Sequence, residues 1–323
     1  MREKERIQDS GFRIRNGGRK PGRSLAALAL MLAAGCASPK APQFTDADWV
    51  SHATTGRGAY ARGDYRRGAE AFARAEQRAR ALDDAEALAV SAANRATCLL
   101  AAGRADEALA GVDEALDDPR VSKARRAELL VAGARAELAR GKVDEALDRV
   151  EAALKLEPEP VLRAQALLAR SAAELARGKT AAAEKALSEG MAAKERERLP
   201  TSLRAERAAA LARIAAADKK HSEAAVRQDE VAALWKKAGR LPDMARALAE
   251  GGRQAQAAGD GAGACDRFYR AARSLWAQGL RPEAVRALEE GVSCAEKLKD
   301  EAVGKRMADL FVTFRNGERL EKQ

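Results

Sequence analysis

Six stretches of this chain repeat one another: ARGDYRRGAEAF at 61–72, AAGRADEALAGV at 101–112, LARGKVDEALDRV at 138–150, LARGKTAAAEKAL at 175–187, ADKKHSEAAV at 217–226 and AAGDGAGACDRF at 257–268. Aligned on Gly63, Gly103, Gly141, Gly178, Lys219 and Gly259, they lie 37 to 41 residues apart. A period of this length marks an array in which each repeat is one supersecondary unit that buries its core against its neighbours. Side-chain size follows the same period. Seven residues before the aligned position stand Gly56, Ala96, Ala134, Ser171, Ala212 and Gly252, and five after it Gly68, Ala108, Ala146, Ala183, Ala224 and Ala264. Nine after it come Phe72, Val112, Val150, Leu187, Gln228 and Phe268, and twelve after it Ala75, Ala115, Ala153, Gly190, Val231 and Ala271. Small residues at fixed offsets are what close helix crossings require; Gln228 and Val231 are the main exceptions.

Composition agrees with helices in thin layers. The chain is 46% hydrophobic but only 4% aromatic, and its Ala, Glu, Lys, Arg and Leu are strong helix formers. Large aromatic side chains supply much of a compact core, so an Ala-rich chain without them suits helices packed closely in pairs. Apart from Phe12 in the N-terminal segment, the aromatics lie between Phe44 and Phe72 and between Trp235 and Phe314, with none in the middle.

The loop glycines and the small-residue positions together resemble the tetratricopeptide repeat. The resemblance implies an all-α, right-handed superhelical solenoid of about seven antiparallel helix pairs over residues 45–320, Gly starting the turn within each pair. The family period is about 34, so the helices are expected to be longer or the loops extended. The family's aromatic slot, four residues before the turn, reads Ala59, Leu99, Glu137, Glu174, Ala215 and Ala255, and an apolar residue falls one place later at Tyr60, Leu100, Leu138 and Leu175. The inward face of each first helix is therefore left open. Thr45 is expected to cap a first helix beginning at Asp46, and Pro119, Pro158, Pro160, Pro200, Pro242 and Pro282 mark gaps between pairs. A seventh pair, Pro282–Leu298 with Asp300–Phe314, lacks the loop Gly and reads as the atypical terminal unit that such arrays need.

The N-terminal region has a different character. A basic segment precedes a ten-residue apolar run, Leu25 to Ala34, too short for the roughly 20 residues of a membrane-spanning helix but suited to a secretory signal. The run ends Ala33-Ala34-Gly35-Cys36 and resembles the lipobox of bacterial lipoproteins, with Ala33 where the family usually has Leu. That resemblance implies removal of residues 1–35, a diacylglycerol on Cys36 and an acylated tether over 36–44. Ala37, in place of the Asp that favours inner-membrane retention, implies the periplasmic side of the outer membrane. Residues 1–35 also carry five of the ten net positive charges. The remaining charge is mixed along helices, which argues against nucleic-acid binding.

No constellation for chemistry emerges. GDGAGAC at 259–265 superficially suggests a phosphate loop but has no preceding strand and no Gly-Lys-Ser/Thr ending, and it falls where a repeat turn belongs. His52 and His221, the latter expected in a turn, have no ligand-spaced partners. No enzyme activity, metal or cofactor is expected. The expectation is a scaffold or adaptor binding a protein or peptide; an accessory of a cell-wall enzyme, or a peptide- or glycan-binding module, is the alternative. In the resembled family the residue six before the turn faces the concave side. Here it reads Arg57, Thr97, Arg135, Ala172, Arg213 and Arg253, with Asn94 nearby, a candidate stripe for an acidic or C-terminal carboxylate. Pairing of these arginines with neighbouring glutamates is the structural alternative. Cys265 and Cys294 stand 14 residues either side of a turn at Gly279–Leu280. Antiparallel helices would bring them level, as candidates for a disulfide if both face the seam; Cys98 reads as a small buried residue.

Overall fold

Seventeen-residue helices joined by three-residue turns generate the period. The computed structural model describes residues 44–189 and 192–321. Residues 1–43, with the apolar run and Cys36, lie outside them, as does Gly190. The first two pairs are α1 (Ala47–Ala61) with α2 (Tyr65–Ala81) and α3 (Ala85–Ala101) with α4 (Ala105–Leu116). The next two are α5 (Lys123–Ala139) with α6 (Val143–Lys155) and α7 (Pro160–Ala176) with α8 (Thr180–Glu189). A short α9 (Ala193–Arg198) precedes α10 (Thr201–Ala217) with α11 (His221–Lys237) and α12 (Leu241–Ala257) with α13 (Gly261–Ala277). The seventh pair is α14 (Arg281–Leu298) with α15 (Glu301–Glu321). The chain is an all-α, tetratricopeptide-like superhelical solenoid of antiparallel pairs. Where two 17-residue helices and two three-residue turns follow one another, as from Gly63 to Gly103, the spacing is 40 residues. Longer helices, not longer loops, account for the departure from the family period there. The second helices of pairs two to four are shorter, 12, 13 and 10 residues, with longer connections behind them.

One turn is used over and over. Gly63, Gly103, Gly141, Gly178 and Gly259 all have φ between +73° and +84°, and Lys219 takes the same left-handed conformation at φ +60°. The next residue sends its N–H back to the carbonyl five places earlier, as Asp64 to Ala59 at 3.0 Å and Asp260 to Ala255 at 2.9 Å. This is the Schellman closure of a helix end. The same residue then opens the following helix. The carboxylates of Asp64, Asp84 and Asp260 accept from the N–H groups of Arg67, Ala87 and Gly263, an N-cap contributing about 1 kcal/mol. The first helix is capped by Asp46 rather than Thr45: its carboxylate accepts from Trp49 N–H at 2.8 Å. Arg78 grips the same carboxylate, and these bonds hold its pKa down at about 2.

The seams pair a small residue on the first helix with a larger one 16 places later on the second. Gly56 faces the ring of Phe72, and Gly252 that of Phe268; a Cβ at either glycine would lie 2.7 or 2.9 Å from ring carbon. The seventh pair repeats the arrangement with Gly291 against Met307 at 3.1 Å. At the same offset the middle pairs place Ala96 with Val112, Ala134 with Val150 and Ser171 with Leu187, all buried. Where the small partner gains a methyl, the large one shrinks. Ala212 with Gln228 keeps the sizes but not the polarity, and Gln228 is nevertheless buried.

The inward face of the first helices is now defined. Ala59, Leu99, Glu137, Ala215 and Ala255 are buried, while Tyr60, Leu100, Leu138 and Leu175 are half-buried. The slot is thus kept as a buried position, filled by Ala, Leu or Glu in place of an aromatic. Glu137 is tolerated there because Arg140 donates to it at 2.9 Å, with Arg149 at 3.8 Å. The core divides into five clusters, large ones at the two ends (Trp49 to Ala136 and Ala205 to Phe314) and three small ones between.

The size pairing predicts a thermodynamic cycle. Gly252→Ala should cost about 1–3 kcal/mol by overpacking against Phe268, and Phe268→Val a few kcal/mol through the cavity it leaves. Together they recreate the Ala96–Val112 pairing. Denaturant unfolding should therefore show the double variant at least about 1 kcal/mol more stable than the sum of the single costs; additive costs would refute the pairing.

Candidate partner-binding surface

The first helices carry the residues that the repeat pattern aims inward. Arg57 on α1 is half-buried and donates to Thr54 Oγ1 at 3.2 Å, and burial lowers its pKa. Asn94 on α3 returns its Nδ2 to the Val90 carbonyl at 2.8 Å, so half of its amide serves its own helix. Arg135 on α5 is exposed and makes no hydrogen bond or ion pair among the described residues. Arg213 on α10 is open to water, yet protein on several sides desolvates its charge and lowers its pKa, with Glu206 acting in the opposite sense. Access to water together with desolvation is what the inner wall of a groove imposes on a side chain.

Arg253 differs. Its Nε donates to Glu250 at 2.9 Å and its guanidinium to Glu290 of α14 at 3.0 Å, which ties pair six to pair seven. Among the four stripe arginines, Arg57, Arg135 and Arg213 make no direct carboxylate contact among the described residues, and Arg253 is committed to two. The other two positions in the register, Thr97 and Ala172, are half-buried, and the Thr97 hydroxyl is bonded back to Ala93.

Tyr60, an apolar position of the repeat pattern, belongs to the same face. Burial raises its pKa, and the charges of Arg240, Arg135 and Glu206 act on it. These residues sit on or at the ends of α1, α12, α5 and α10, in pairs one, six, three and five. Charges on repeats that are not neighbours in a solenoid act on one another across its interior, which puts Tyr60 toward the space that the repeats enclose. Arg240 also lies over the Trp235 ring at 4.6 Å and pairs with Asp243 at 2.6 Å. No signal in the sequence links positions so far apart.

The remaining polar candidates are structural. Buried Arg125 holds Glu128 at 2.6 Å, and burial raises the Glu128 pKa. Glu76, buried on α2, receives Arg95 at 2.9 Å but leaves Oε1 unpartnered, and burial raises its pKa too. His221 opens α11 instead of lying in a turn, and its Nδ1 meets Gln254 Oε1 at 3.0 Å. Gly259 is the turn residue, and the remainder of GDGAGAC caps and begins α13. No group of three metal-ligating side chains occurs among the described residues, and no helix there is long and apolar enough to cross a membrane. Cys265 on α13 and Cys294 on α14 are both buried, and Cys294 Sγ reaches across the seam to the Gly261 carbonyl at 3.3 Å. Cys98 is buried on α3, and burial pushes its thiol up to about 12.

No known protein family's profile matches this chain, and no curated protein matches it. Solved structures do. BtubC from P. vanneervenii superposes with a TM-score of 0.52 at 19% identity, covering 67% of this chain and 92% of that one. The apo form of RapI gives 0.51 at 10% identity over 82% and 81%. A Rap protein complexed with competence and sporulation factor gives 0.52 at 12% over 83% and 87%. At these identities the likeness establishes the fold.

The shared space around Tyr60 can be probed directly. Arg135→Gln or Arg240→Gln removes a charge that favours tyrosinate, so each should raise the Tyr60 pKa further in ultraviolet titration with Tyr65 and Tyr269 replaced by Phe. If neither substitution moves the titration, the two arginines do not face Tyr60.

Proposed function

We propose that this chain is a scaffold without enzymatic activity that binds a protein partner along the inner face of its solenoid, recognising an acidic or C-terminal-carboxylate segment. The observation that carries this reading is the set Arg57, Arg135 and Arg213: cations on first helices that make no direct carboxylate contact among the described residues. A partly desolvated guanidinium gains more from an incoming carboxylate than a fully solvated one, because its water has already been partly removed and its fork pairs bidentately. The fold supports the same reading, since one similar structure is a Rap protein complexed with competence and sporulation factor. Acylation of Cys36 would place this surface at the periplasmic face of a bacterial outer membrane, close to the bilayer through the short 36–44 tether. Two acyl chains or more make such attachment stable, each buried CH₂ contributing about 0.8 kcal/mol.

Two experiments separate the parts of this proposal. With a photocrosslinker incorporated at Thr97, which is half-buried within the stripe, intact cells should yield a discrete crosslinked partner. Arg135→Glu with Arg213→Glu should reduce its binding at least ten-fold, and binding that survives the reversal removes the stripe. For the anchor, wild type should take up labelled fatty acid and fractionate with outer membranes, and Cys36→Ser should be released. A variant that remains membrane-bound, with an unlabelled wild type, overturns the lipid.

A further inference from the structure

Cys265 lies near the start of α13 and Cys294 near the end of α14. These helices belong to pairs six and seven, so the two cysteines stand on either side of a seam between repeats. Cys294 Sγ donates to the Gly261 carbonyl at 3.3 Å. Gly261 is one helical turn before Cys265, and Cα–Cβ bonds tilt toward the helix N-terminus. The Cys265 sulfur therefore leans toward the carbonyl that the Cys294 sulfur already touches, which brings the two thiols to the same part of the seam. Both side chains are buried at 1% and 2% exposure, so neither has another exchange partner in the closed structure.

We propose that Cys265 and Cys294 form a dithiol that is oxidised to a disulfide, stapling the last helix pair to the one before it. The oxidant is a small disulfide such as oxidised glutathione. One cysteine sulfur attacks it, releasing one glutathione thiol and forming a mixed disulfide. The second cysteine sulfur displaces the other glutathione thiol and leaves the Cys265–Cys294 bond. Two electrons and both cysteine protons end on glutathione.

The position gives the bond its effect. Each repeat is held by its neighbours alone, and among the described residues the seventh pair packs chiefly against pair six. Opening of an array starts at such an end, and a bond across this seam limits the opened states. Burial and the neighbouring thiol push Cys265 up to about 12, so attack proceeds when the seam is open, during folding or fraying. Once closed, the bond is shielded from reductant. Cys98 has the same burial without a second cysteine beside it and serves as the internal control.

The test is refolding of the full chain from the reduced, denatured state with oxidised glutathione. Alkylation in denaturant without reductant and peptide mass spectrometry follow. The expected product joins the Cys265 and Cys294 peptides and leaves Cys98 alkylated. Hydrogen exchange in α14 and α15 should be at least about ten-fold slower than in the reduced chain, a difference that Cys294→Ala abolishes. Alkylated Cys265 and Cys294, or bridges to Cys36 or Cys98 in their place, overturn the dithiol. A joined pair with unchanged exchange in α15 overturns the staple.

Discussion

Helix axes in this array come close because one side of each seam gives way. Alanine buries little apolar surface, so a core built from it gains stability only if backbones approach near enough for many weak dispersion contacts. The glycine, alanine or serine on each first helix permits that approach, and the residue 16 places later is sized to the space left. Phe268 is the extreme case, bounded by Gly252 on α12 and with its Cβ against Gly291 on α14. The same small residues explain the paucity of aromatics in the middle, where Ala–Val and Ser–Leu pairings leave no room for a ring.

A core divided into five clusters cannot by itself fix the register between pairs. Ion pairs at repeated positions do so. Arg149 reaches Asp113 at 2.8 Å, and in the same register Arg267 reaches Asp229 at 2.7 Å. Arg140 joins Asp106 on the preceding pair, and Arg177 joins Asp144 in the equivalent places. The two more exposed pairs, Arg140–Asp106 and Arg177–Asp144, each contribute little to stability because solvent screens them. Their recurrence therefore bears on alignment between repeats more than on total stability. Arg253 belongs with them, which is why it stands apart from the other stripe arginines.

The parts legible in the sequence were those fixed by local geometry. A left-handed turn residue selects Gly, and a tight crossing selects small side chains, so both surface as a period. Lys219 shows that the turn persists when the signature residue is lost. Glu137 was opaque because the arginines that make its burial tolerable lie elsewhere, one of them on the next helix. The first cap was displaced by one residue because Asp46 answers both Trp49 and Arg78, and Arg78 is 32 residues away. Likewise the commitment of Arg253 depends on Glu290, 37 residues on. The surroundings of Tyr60 depend on how the whole array curves, which no window of sequence contains.

The three-residue turn leaves no spare position. The N–H of Asp64 closes α1, and its carboxylate opens α2; Asp84 and Asp260 have the same double duty. One inserted residue would unseat two helix ends at once and rotate the next helix by about 100°, carrying its small-residue face out of the seam. The connections after α4, α6 and α8 are longer and Pro-containing, and among the described residues there none serves two helices in this way. Length change in such a chain, whether by natural insertion or by grafting, is therefore confined to the joints behind α4, α6 and α8, and the turns inside the pairs must be inherited whole.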